Sequence, residues 1–396
     1  MIEKRAKTRP IYLDNHATTP MDPDVVSLME PYWNESFGNP HSSGHFYGWE
    51  AEEAVEVSRE KVADLIGADT DEIYFTSGAT EANNIAIKGV GRFYSSHRKK
   101  IITCVSEHMC VLDSAFQLER EGFEVVYLKV DHLGFVDLNE LRDAIDEQTI
   151  LVSIMAANNE IGILQPIEEI AKICFENKVF FHTDAAQAVG KIPINVRKMG
   201  VDLMSLTAHK VYGPMGVGAL FVSKNNGVRL EPLFSGGGQE KGLRSGTLST
   251  PLCVGFGEAM SLAKNKMNNE SRFLKSSRDQ MWEYFRENID GVKLNGCLER
   301  RLPGNLNFSF EGVDGASLIA ALPDLAFSTG SACTSASEEV SHVLQAIGLS
   351  NKQAESTIRI GLGRFTTSED IQVACDRIAS EVIKLRDKPT HYIAAQ

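Results

Sequence analysis

The sequence predicts an α/β chain, in which a mainly parallel sheet packed between helices makes a large domain and a smaller α+β domain follows it. Three observations carry that expectation. From Asp22 to about Lys264, helix-like periodicity alternates with short apolar runs. After Thr250 the texture changes, with long helical stretches taking over. The length of 396 residues, 43% of them apolar, is too great for one ordinary domain and supplies enough side chain for two cores.

Taken in order, helical periodicity covers residues 24–32, 48–66 and 80–94. Strand-like runs follow at 100–105, 124–128, 150–155, 179–183, 203–206 and 218–222, with helical segments between several of them. Strands separated by helices pair in parallel, and the ligands of such sheets sit at the carboxyl ends of the strands. Beyond Thr250, a helix reaches about residue 288, 306–310 reads as a strand, 316–321 as a helix and 368–386 as a closing helix. The large domain is accordingly expected over 18–264. The small one is expected over 265–396, with 1–17 placed beside it.

Charge and composition narrow the function. There are 40 Lys and Arg against 53 Asp and Glu, a net charge of -13, which leaves no excess of cations for a phosphate backbone and argues against nucleic acid as a partner. No apolar run of 18 residues occurs, so no spanning helix is expected. The opening MIEKRAKTRP runs into IYLD without an apolar signal region, and the expected location is the cytoplasm. Seven cysteines, at 104, 110, 174, 253, 297, 333 and 375, show no CxxC pair. A disulfide framework or metal cluster is not expected, and each thiol is judged alone.

Two segments carry chemistry. VFFHTDAAQ sets Asp184 and Gln187 just past an apolar run, and LMSLTAHKVYGPMGVGAL holds Lys210 after His209. A carboxylate at one strand end and a lysine 26 residues later suit a pyridoxal phosphate site. That cofactor needs a lysine amine to hold it as a Schiff base and an acid anion to keep its ring nitrogen protonated. The same residues also read as a helix-capping Asp and a solvated Lys. Ser205, Thr207 and His209 beside the lysine offer donors to a phosphate. FTSGATEANN adds Gly78, Ala79 and Thr80 where a strand passes into a helix, so that free N–H groups and the helix dipole face an anion.

YLDNHATTP, SGATEANN, NNEIG, HTDAAQAVGK, TAHKVYGP, GGGQEKGLRSGT, STGSACTSAS and TIRIGLGRFTT, in this order from about residue 11 to about 387, resemble the cysteine desulfurases of the IscS/NifS type. These are fold type I pyridoxal phosphate enzymes. The resemblance implies a seven-stranded sheet in the large domain and pyridoxal 5'-phosphate as cofactor. It implies that Lys210 holds the cofactor and moves the substrate's α-proton, that Asp184 pairs with the ring nitrogen, and that Gln187 lies near the ring hydroxyl. His108, in VSEHMCVLD, would stack on the ring and act as acid or base. Ala79, Thr80, Thr207 and His209 would hold the phosphate, completed by Thr247 of a second copy, which makes the enzyme a homodimer. Asn159 would meet the ring hydroxyl and the substrate, and Arg359 would grip the substrate carboxylate. No metal is implied.

Lys210 and Asp184 are shared with transaminases, decarboxylases and lyases, including one that acts on selenocysteine, so the discriminating residue is Cys333. Cys174, Cys253 and Cys375 read as inert packing thiols. Cys333 lies instead among Ser, Thr, Ala and Gly, in what the resemblance makes a mobile loop. It would attack the sulfur of L-cysteine, leaving a persulfide on the enzyme and releasing alanine. The implied acceptors are an iron–sulfur scaffold protein and other sulfur acceptors, including those of tRNA thiolation. The chain departs from the family pattern at Glu338-Glu339-Val340, where many members carry Leu-Glu-Pro. It departs again at 223–229, where the basic run is thinned, and at KPTHYIAAQ, which replaces a longer scaffold-binding tail. These departures bear on scaffold docking and leave the desulfurase chemistry untouched.

Overall fold

The computed structural model describes residues 9–329 and 340–387. After the short β1 (Ile11–Tyr12) come β2 (Ile73–Thr76), β3 (Lys100–Cys104), β4 (Glu124–Leu128), β5 (Thr149–Ser153), β6 (Phe180–Asp184), β7 (Leu203–Thr207) and β8 (Gly218–Val222). Strands β2 to β8 form a seven-stranded sheet in the order β2-β8-β7-β6-β5-β3-β4. β8 runs antiparallel to β2 and β7, and the other pairs are parallel.

The strands alternate between two apolar layers, as the period of two requires. Ile101, Leu151, Leu203 and Leu220 pack with Ile85 and Val90 of the helix Ala79–Tyr94. Their neighbours Ile102, Val152, Met204 and Phe221 pack on the opposite face with Val55, Val62 and Phe256. A sheet covered on both faces leaves only its edges and strand ends for chemistry. The carboxyl ends of β2, β3, β5, β6 and β7 lie along one such edge.

A second core forms on β9 (Val292–Leu294), β10 (Asn305–Phe310), β12 (Ser328–Thr329) and β13 (Thr357–Gly361), an antiparallel sheet in the order β12-β13-β10-β9; β11 (Leu325–Ala326) pairs in parallel with β1. Phe285, Phe308 and Phe310 meet there with ring centroids 5.1 to 6.1 Å apart. The helix Thr250–Asn288 serves both cores: Cys253, Phe256, Met260 and Ala263 face the first, Leu274, Met281 and Phe285 the second. The helices His342–Ala346 and Asn351–Glu355 return Val343, Leu344 and Ala354 to the first core.

Most expected elements lie within one or two residues of their observed bounds. The helix expected over 24–32 is two helices, Pro23–Met29 and Pro31–Asn34. Pro31 has no N–H to continue the first helix and begins the second instead. Among the described residues no helix is long and apolar enough to cross a membrane.

One glycine couples sheet to site. A Cβ on Gly218 would stand 2.4 Å from the Leu206 carbonyl oxygen and 2.7 Å from Gly78 Cα. Gly218→Ala should therefore cost about 1–3 kcal/mol in urea denaturation through overpacking, and displace the start of the helix at Ala79. An unchanged denaturation midpoint would contradict this close approach.

Candidate active site

Lys210 ends the short 3₁₀ turn Ala208–Lys210 that follows β7. Its Nζ donates to the carbonyl oxygens of His16 at 2.5 Å and Ala17 at 2.6 Å. The segment carrying those carbonyls is fastened to the same turn. Thr19 N–H and Oγ1 both bond the His209 carbonyl at 2.9 Å, and Thr18 Oγ1 lies 3.1 Å from His209 Nδ1.

Asp184 closes β6 and is 6% exposed. Its Oδ1 accepts the Ala186 N–H at 2.8 Å and its Oδ2 accepts from Asn83 Nδ2 at 2.6 Å. Asn83 also donates to Cys110 Sγ at 3.1 Å. His108 caps the helix Met109–Arg120, its Nδ1 accepting the Cys110 N–H at 3.2 Å with Cys110 Sγ 3.1 Å away. A ring nitrogen that accepts a backbone N–H is unprotonated, which assigns the neutral ring's proton to Nε2.

One cavity of about 540 Å³ brings together Lys210, Asp184, Gln187 and His108. Asn159 lines it from the segment after β5, and Thr207 and His209 from the segment around the lysine. Ala79 and Thr80 line it at the start of the helix Ala79–Tyr94, whose N-cap Gly78 supplies no side-chain bond to the first turn. Glu81, in the same turn, is engaged by the Ser77 N–H at 2.5 Å and by Arg244 at 2.8 Å.

Other expected residues lie elsewhere. Ser205, read as a phosphate donor, is buried inside the sheet with its Oγ 3.0 Å from His182 Nε2, so it belongs to the core; strand position places it two residues too deep. Arg359 is fully buried on β13, donating to Asp14 Oδ1 at 2.8 Å and to the Asn159 carbonyl at 3.0 Å. Thr247 is exposed and does not line this chain's cavity. Cys333 lies outside the described residues. Burial pushes the thiols of Cys253 and Cys375 up to about 12 and that of Cys174 higher still, as suits packing thiols.

The class-V aminotransferase family matches residues 11–373. The cysteine desulfurase IscS of Rickettsia prowazekii is 53% identical over 379 residues, covering 96% of this chain and 92% of the relative. The chain belongs to the cysteine desulfurases of this family. Among solved structures, a NifS-like protein superposes with a TM-score of 0.89 at 37% identity, covering 95% of this chain and all of the other. A structure of SspA in complex with cysteine gives 0.80 at 39% identity, covering 90% and 99%.

Cysteine desulfurases of this type depend on pyridoxal 5'-phosphate, and the donor set here fits that group. An amine, a buried carboxylate held by two donors and an uncapped helix start face the same cavity. Those are the three partners that the aldehyde, ring nitrogen and phosphate require.

Four residues of this desulfurase's site escaped the sequence reading. Asn83 holds Asp184, and its signal was a polar side chain on the apolar face of an amphipathic helix. Lys191, four residues past Gln187, donates to Gln187 Oε1 at 2.9 Å. His16 supplies the carbonyl that receives Lys210. Glu107, fully buried beside His108, accepts the Met155 N–H at 2.6 Å.

Burial sets the charges. It lowers His209 to about 4 and Lys191 to about 7, each lowered further by neighbouring cations, and holds His16 well below the ordinary imidazole range. Burial raises Glu107 to about 8, with the Asp184 carboxylate adding to the rise. Between pH 4.5 and 8 the native state thus keeps a proton on Glu107 that the unfolded chain has lost, so Glu107's contribution to stability is full below 4.5 and falls as pH rises to 8. Glu107→Gln, which cannot ionise, should gain stability over the parent across that window by up to about 1.4 kcal/mol per pH unit. Parallel urea titrations of the two proteins with a constant gap would contradict a protonated Glu107.

Proposed function

We propose that this chain takes sulfur from L-cysteine, releases L-alanine and leaves a persulfide on Cys333, from which acceptors draw for iron–sulfur cluster assembly and tRNA thiolation. What supports the reading above all is the meeting of Lys210, Asp184 and His108 on one cavity.

Bound there, pyridoxal phosphate supplies the sink for the electrons left behind when the substrate's α-proton departs. Lys210 anchors it through Nζ and carries the α-proton. Asp184, oriented by Asn83 and the Ala186 N–H, keeps a proton on the ring nitrogen. Gln187 and Asn159 address the ring hydroxyl. Thr80, Thr207, His209 and the N–H of Ala79 hold the phosphate. Thr247 of a second copy joins them, so the working enzyme is a homodimer. Arg359 receives the substrate carboxylate. Its Nε is buried and has no hydrogen-bond partner among the described residues, and the residue already touches Asn159.

A thiol of ordinary pKa is only a few per cent ionised at neutral pH, so Cys333 needs a base. His108, which lines the same cavity, is that base in this reading. The Cys333 thiolate attacks the substrate sulfur; the carbon–sulfur bond breaks, its electrons and a proton end on what becomes alanine, and the sulfur stays on the enzyme. In the same reading, 18–264 form the large domain and 1–17 with 265–396 the small one, with Val343, Leu344 and Ala354 of the latter reaching back into the first core. The enzyme works in the cytoplasm, without nucleic acid or membrane.

Mass spectrometry after exposure to L-cysteine without reductant should find a sulfur adduct of about +32 Da on the peptide holding Cys333, with alanine released. Cys333→Ala should keep the cofactor's visible absorbance and lose sulfur transfer. Sulfide formed at the parental rate by that variant would overturn the reading. Separately, His108→Ala with unchanged turnover would remove His108 from thiol activation.

A further inference from the structure

Gln187 is buried and lines the cavity, and its described partners are His16 and Lys191, neither of which lines it. Its Oε1 accepts from Lys191 Nζ at 2.9 Å and faces His16 Nδ1 at 3.1 Å. Its Nε2 donates to the His16 carbonyl at 2.9 Å. A carbonyl oxygen can only accept, so it fixes which end of the amide is nitrogen; the lysine amine, a donor, agrees from the other end. With Oε1 taken twice, His16 must donate through Nδ1, consistent with a neutral ring. One hydrogen of Nε2 is then committed to His16, and the second has no acceptor among the described residues.

We propose that Lys191, together with His16, is a positioning residue that locks the Gln187 amide with its oxygen turned inward, so that the cavity meets an N–H donor and never the carbonyl. The inference rests on the cofactor reading above and deepens it. A donor at this place stabilises an oxygen anion on the cofactor ring, whereas a flipped amide would set two lone pairs against it. The lock costs the Lys191 amine part of its solvation, which surface lysines keep. The His16 carbonyl that orients Gln187 also accepts Lys210 Nζ, so amide and anchoring lysine are set from one oxygen.

The test is reconstitution of apoprotein with pyridoxal phosphate, read as dissociation constant and as the position of the visible absorption band. The proteins are the parent, Lys191→Met, Lys191→Arg, Gln187→Ala and the Lys191→Met/Gln187→Ala double variant. Expected are about tenfold weaker binding and a displaced band in Lys191→Met, the loss of one hydrogen bond to a charged acceptor. Lys191→Arg, which keeps donor and charge, should resemble the parent, and in the Gln187→Ala background Lys191→Met should change binding less than twofold. A parental spectrum and affinity in Lys191→Met would overturn the inference. So would a full tenfold loss that persists without Gln187, which would mean that Lys191 acts by charge alone. If Lys191→Met does not fold, Lys191→Ala decides in its place, and a parental spectrum and affinity there would equally overturn the inference. A parent that binds no pyridoxal phosphate would instead sink the cofactor reading itself.

Discussion

The structure turns on the clasp between the Lys210 ammonium and the carbonyls of His16 and Ala17. The lysine belongs to the end of a strand in the seven-stranded sheet, while the carbonyls belong to an N-terminal segment that pairs with the second core through β1 and the Asp14 to Gly361 bridge. A cation taken from water into such a place needs several acceptors around it. The two carbonyls meet that need and in doing so fix how the two cores meet at the strand ends.

The site is held together by groups whose charges burial has altered in opposite senses. Glu107 keeps its proton where an exposed carboxyl would lose it, while His16, His209 and Lys191 release theirs more readily than exposed counterparts. The result is a pocket in which few formal charges stand unbalanced. Asp184 stays close to two donors and Arg359 close to Asp14. Hydrogen bonds in such a setting gain from the low local dielectric and are costly to break.

Much of this was legible in the sequence. The sheet could be read because β3 to β8 are short and apolar, with helices between most of them, and both faces being covered favours near-continuous apolar runs. Thr357–Gly361 escaped because an arginine stands in its middle, and only its pairing with β10 reveals it as a fully buried strand. Lys210, Asp184 and Gln187 were visible because they adjoin strand ends, whereas His108 was reached only through the family resemblance. Asn83, Lys191 and His16 were not visible, since their importance lies in which atom they touch, and that depends on packing between segments far apart in the chain. Ser205 shows the reverse failure: a hydroxyl near the right motif whose strand position commits it to His182.

The helix Thr250–Asn288 gives the molecule an unusual kind of indivisibility. At 1.5 Å per residue its 39 residues make a rod of about 58 Å, and each apolar core counts part of that rod among its own walls. A cut between Ala263 and Leu274 would strip one side from both at once. Neither half can therefore be lifted out as a self-standing module, and any tilt of one half is carried along the rod to the other as leverage rather than absorbed in a slack connector.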